Sequence, residues 1–152
     1  MNEIPMTYLE WNNQFEKLKT SVKDDIIIDN LNKGKLDLDE NLLIRFMHNV
    51  DELVSFRLNN ALDKFINSIS MSGVNFNNFN MILLELKKEF KFLFKISKLN
   101  VIPIENQEKL ISTLSEEIKK IELIILEKLG KTDRTGMLIS AVKNSNLSNC
   151  EV

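Results

Sequence analysis

Apolar residues along this chain recur at steps of three and four rather than two, which is the spacing of one stripe on a helix. In the first periodic segment Tyr8, Trp11, Phe15, Leu18 and Val22 fall on one such stripe, with Thr7 placed to cap it. The run Ile26-Ile27-Ile28 is β-prone in isolation but continues the pattern to Leu31 and Gly34. Gly34 suits the left-handed position after a helix, so the segment reads as one helix from Thr7 to Lys33 with a break near Ser21.

The second segment opens on Asp39 and Glu40, a cap followed by a negative first turn, and meets no Gly or Pro until Gly73. Met47, Val50, Val54, Leu58, Ala61, Phe65 and Ile69 form its main stripe, and Phe46, Leu53, Leu62 and Ile66 widen it. A face this broad predicts contacts with more than one neighbour, so this long helix is expected to be the centre of the fold.

After the turn Met71–Asn75, the residues Phe79, Leu83, Leu86, Phe90, Leu93 and Ser97 keep helical spacing. Glu89 to Lys95 also alternates with period two, which would suit a strand. The three/four pattern holds over a longer stretch and decides for a helix. Ile102-Pro103 ends it, because the residue before a proline is steered from helical angles. Ile111, Leu114, Ile118, Ile121 and Ile125 then mark another helix, with Glu116 and Lys120 spaced as an ion pair and Gly130 at its end.

Met137 to Lys143 adds a short helix. The expected fold is therefore an all-α antiparallel bundle of four main helices, with a long central second helix. One domain over residues 1–143 is followed by a polar, flexible tail over 144–152.

Composition changes this picture little. The chain has 152 residues, 43% hydrophobic and 28% charged, and a formal net charge of −2. That size suits a single core, and that charge gives no global attraction for nucleic acid or anionic lipid. Cys150 is the only cysteine, which excludes an intramolecular disulfide and fits a reducing compartment. The start lacks a secretory pattern and no apolar run reaches the length of a membrane span, so the expected setting is the cytoplasm, without membrane contact.

Candidate chemistry is sparse. Leu129 to Gly136, LGKTDRTG, contains the Gly-Lys-Thr that ends a phosphate-binding loop, but Ile125 stands where that motif needs its first glycine. The triplet also follows a helix instead of a strand, so it reads as a helix stop and turn. His48 is the single histidine, which excludes a paired-histidine metal site, and its pairing with Glu52 one turn later suits a surface contact. The acidic group Asp37-Leu38-Asp39-Glu40 lacks the spacing of a calcium loop. Asp24-Asp25 and Glu116-Glu117 are adjacent and diverge by about 100° on a helix, so neither pair converges on a substrate. No catalytic residue, cofactor or metal site is expected, and no enzyme.

The most specific charge feature is the lysine row of the third segment: Lys87, Lys88, Lys91, Lys95 and Lys98. Between Phe76 and Asn100 the net charge is +3, whereas residues 1–34 and 35–75 each carry −2. Phe92 lies off the apolar centre beside these lysines, which predicts a mixed basic and apolar face. Trp11 and the nine phenylalanines mostly fit core positions, although Trp11 is also placed to anchor a partner.

The first functional expectation is a non-enzymatic protein–protein interaction module: an adaptor, an inhibitor or a chaperone-like bundle. Its partner would be another protein or a second copy of the chain as a homodimer. The alternative is a small nucleic-acid-binding accessory protein using the lysine row. Lysine lacks the fork with which arginine reads guanine, so that contact would be nonspecific.

Overall fold

Thr7 begins the first helix as the periodicity predicts, and it does so through a reciprocal cap. Its hydroxyl accepts from Glu10 N at 3.2 Å, while Glu10 Oε2 accepts from Thr7 N at 3.3 Å. The computed structural model describes residues 4–5, 7–19, 24–35, 38–70, 76–131, 133 and 136–147. Ser21, Asp37, the turn Met71–Asn75, three residues of LGKTDRTG (Thr132, Arg134 and Thr135) and Cys150 lie outside these.

The described residues form an all-helical fold apart from a two-residue parallel bridge in which Ile4 and Pro5 pair with Gly34 and Lys35. Among the described residues six helices pack against one another: α1 (Tyr8–Glu16), α2 (Asp24–Lys33), α3 (Glu40–Ser70), α4 (Phe76–Ser97), α5 (Ile104–Gly130) and α6 (Met137–Asn144). The amino-terminal segment is thus two helices, separated after a 3₁₀ turn at Lys17–Lys19. Among the described residues no helix is long and apolar enough to cross a membrane.

Asp39 caps α3 by accepting from Leu42 N at 2.8 Å, and the helix runs 31 residues, roughly 46 Å at ~1.5 Å per residue. It is the longest element but not the central one. That place belongs to α4, against which α2, α3, α5 and α6 all pack. The physical reason is the width of its apolar arc. At ~100° per residue, the buried side chains Phe79, Leu83, Leu86, Phe90, Phe92, Leu93, Phe94 and Ile96 cover roughly 200° of its circumference.

The same width explains the period-two pattern. Residues two apart on a helix point about 200° apart. Phe90 and Phe94 therefore face one set of neighbours and Phe92 another, and all three are buried.

Phe65 of α3 meets Phe79 of α4 edge-on at 5.8 Å, and Arg57 meets Glu89, so these two helices run antiparallel. Trp11 stacks on Phe15 at 5.0 Å and tilts against Phe46 at 4.5 Å, fixing α1 on α3. Asn49 reinforces that contact by donating to Tyr8 Oη and Asn12 Oδ1 at 3.0 and 3.1 Å. At the other end Asn100 N donates to Asn32 Oδ1 at 3.0 Å, tying α2 to the α4–α5 turn. Gln107 Nε2 donates to the carbonyls of Leu99 and Ile102 in the turn between α4 and α5, joining α5 to that turn.

The carboxy-terminal region corrects the expected tail. Asn146 adopts a left-handed conformation (φ 54°) just after α6, and Leu147 beyond it is completely buried. A left-handed residue after a helix reverses the chain so that a following apolar side chain can contact the last turn. The packed structure therefore extends to Leu147. Leu147→Ala is expected to cost about 2 kcal/mol in denaturant titration, the low end for a buried leucine; an unchanged midpoint would mean that this residue is not packed.

Candidate interaction surfaces

Four of the five lysines are exposed. Lys88, Lys91 and Lys95 are exposed on the outer face of α4, Lys98 is exposed in the turn that follows it, and Lys87 is half-buried at the edge of that face. Two apolar residues continue the line toward the amino end of the helix: Met81, 68% exposed, and Leu84, 53% exposed. Sequence reasoning overlooked these two because the lysines alone defined the face. Their spacing from Lys88 carried the signal.

Phe92 departs from the expectation. It is buried under the guanidinium of Arg57, whose Cζ lies 3.9 Å from the ring centroid. Arg57 also donates from Nε and Nη2 to the two oxygens of Glu89 at 2.6 and 2.8 Å, and from Nη1 to the carbonyl of Leu18. The ring belongs to an internal clasp joining α3, α4 and the turn after α1. The sequence signal was Arg57 itself, one of three arginines among seventeen lysines, at a position facing the neighbouring helix. Arginine is the residue that suits a fixed, stacked, bidentate site.

On the other side of α4, helices α3 and α5 face each other across an open space. Between them lies a trough of about 620 Å³ with Leu58, Leu114 and Ile121 in its walls and Ser97 among its lining residues. Val54 and Leu62 are half-buried there, and Ile124 is 40% exposed. Ser97 is buried and spends its hydroxyl on the Leu93 carbonyl at 3.0 Å, so it offers little to a ligand. The rim carries Asp51, Glu117 and Lys120. Lys120 pairs with Glu117, three residues back, in place of the expected Glu116. Asp51 is pushed above the ordinary carboxylate range by partial desolvation, with the nearby His48 pulling the other way.

A smaller cleft of about 270 Å³ lies between α3 and α4, lined by Asn60, Lys64, Ser68, Ile82 and Glu85, with the Arg57–Glu89 clasp also in its lining. Both charged groups of the clasp are already engaged there.

Trp11 is fully buried and so is a core residue, not a surface anchor. His48 Nε2 and Glu52 Oε1 stand 3.0 Å apart with both side chains more than half exposed, a surface pair. Among the described residues no three His, Cys, Asp or Glu side chains are grouped to hold a metal ion.

LGKTDRTG joins two helices. Gly130 is the last residue of α5 and Asp133 Oδ2 accepts from Ile139 N at 3.0 Å inside α6, so the aspartate serves the next helix. Gly136 just ahead of α6 takes the left-handed φ of 75°.

Compared with protein-family models, with curated proteins and with solved structures, the chain matches none.

Proposed function

We propose that the chain is a non-enzymatic protein-interaction module that receives an amphipathic helix of a partner protein between α3 and α5. The trough carries this reading. Its lining runs from Asp51 to Leu62 on α3 and from Leu110 to Ile124 on α5, roughly 17 and 21 Å at ~1.5 Å per residue, which suits about four turns of helix. Val54, Leu58 and Leu62 recur every four residues, and Leu110, Leu114, Ile121 and Ile124 face them across the trough. A helix laid there would give α3, α4 and α5 a fourth companion, completing an up-and-down four-helix arrangement. The carboxylate of Asp51 at the rim favours an occupant with a basic residue beside its apolar face.

A labelled amphipathic peptide with leucines at heptad spacing and one flanking lysine should bind the protein, and Ile124→Glu should weaken that binding at least tenfold. Equal affinity for both proteins would remove the trough from this role. Self-association abolished by Ile124→Glu would make the occupant a second copy. The cytoplasm is the proposed setting, in keeping with the single Cys150.

A second reading, a small nucleic-acid-binding accessory protein, draws on the four exposed lysines. Burial of Phe92 takes the ring out of that face and leaves phosphate contacts alone. Duplex binding should then decline with salt at a log–log slope of roughly −0.9 per phosphate contact. No binding at low salt removes this reading.

A further inference from the structure

We propose that the partner helix lies in the trough antiparallel to both α3 and α5, with a basic residue in its last turn against Asp51 and an acidic residue in its first turn against Lys128. The inference rests on the trough being the seat of a helix and adds the direction and the charge order of its occupant.

The direction follows from the walls. Arg57 meets Glu89 and Phe65 meets Phe79, so α4 runs back along α3. Ser97, the last residue of α4, lines the trough together with Asp51 of α3 and with Leu110 and Leu114 of α5. Only residues 98–103 separate α4 from α5, so the early turns of α5 lie beside the end of α4 and α5 points the same way as α3. Both walls therefore start at the Asp51 end and run toward Leu62 and Ile124. A helix between two such neighbours continues the up-and-down order only if it runs against both, and its dipole then opposes theirs.

Charge gives the same direction independently. Asp51 stands at the starting end of the trough, and among the described residues it has no ion-pair partner, because the neighbouring His48 is engaged by Glu52. Midway, Glu117 and Lys120 close on each other and ask nothing of an occupant. Toward the far end Lys128 lies four residues past Ile124 and seven past Ile121, on the same stripe of α5. It is exposed and, among the described residues, also without an ion-pair partner. From Leu110 to Lys128 is roughly 27 Å at ~1.5 Å per residue, about five turns of helix. An antiparallel helix with a glutamate in its first turn and a lysine in its last meets both charges. The same order suits its own dipole, which favours acidic groups at the amino end and basic groups at the carboxyl end. A parallel helix meeting the same two charges would carry both on the wrong ends of its dipole.

The full chain, with labelled methyl groups, is titrated with a peptide of about five turns carrying leucines at heptad spacing, glutamate in its first turn and lysine in its last, and a nitroxide at one end or the other. The carboxyl-terminal nitroxide should broaden Val54 and Leu110, and the amino-terminal one Leu62 and Ile124. Asp51→Lys should weaken binding about fivefold or more, the scale of a lost exposed ion pair with a repulsion added, and a peptide with glutamate in its last turn should recover it. The reverse broadening pattern, or equal broadening from both ends, would overturn the direction while leaving the trough as a helix seat. Unchanged affinity in Asp51→Lys would overturn the charge order. A peptide that does not bind, or that binds Ile124→Glu equally well, would remove the trough itself and this inference with it.

Discussion

Arg57→Ala is expected to destabilise the protein by about 3 kcal/mol, the lower part of the range for breaking a buried ion pair. Only 11% of the Arg57 side chain is exposed and 24% of that of Glu89, so removing the guanidinium strands a carboxylate away from full solvation. It also opens the Leu18 carbonyl and uncovers the Phe92 ring. Arg57→Lys should recover little, because an ammonium cannot make two parallel bonds to Glu89 and lie flat on a ring. The double replacement of Arg57 and Glu89 by methionine should regain most of the loss, since it leaves no charge behind. Urea midpoints with an unchanged slope would measure all three. A loss under about 1 kcal/mol for Arg57→Ala would mean that the pair behaves as a surface ion pair.

The second large effect lies where α1 meets α3. Trp11→Ala should cost about 3 to 5 kcal/mol, as removal of a buried aromatic side chain generally does. Here it would also dissolve the cluster with Phe15 and Phe46 that holds α1 on α3. Trp11→Phe is expected to cost far less. Among the described residues Trp11 Nε1 is buried without a hydrogen-bond partner, so the substitution removes an unsatisfied donor along with ring volume, and the two changes oppose each other. Circular dichroism during denaturation can follow both variants, because Trp11 is the only tryptophan and its fluorescence is lost with it. A phenylalanine variant as unstable as the alanine one would show that the indole N–H has a partner in solution.

Helix positions were legible because the three/four spacing and the caps at Thr7 and Asp39 act locally. Which helix is central was not. The stripe of α3 is long, but centrality depends on angular width, and the width of α4 was disguised by the alternation around Phe92. Its lysine row was legible for the same local reason as the helices. The burial of Phe92 was not, because it depends on Arg57, thirty-five residues away and brought across by the α3–α4 pairing. Leu147 was missed for a related reason: an isolated leucine in a polar stretch has no period, and only the left-handed Asn146 turns it inward. The trough could not be read from either of its walls, since each side contributes an ordinary apolar stripe and the gap exists only where α3 and α5 come to face each other.

The claim that a partner helix enters between α3 and α5 is tested most directly by methyl NMR of the full chain titrated with the basic amphipathic peptide. Signals of Val54, Leu62, Leu110 and Ile124 should shift together and saturate with one binding curve, while those of Met81 and Leu84 on the outer face of α4 stay in place. Shifts confined to Met81 and Leu84, or no shift at any of these positions, would contradict it.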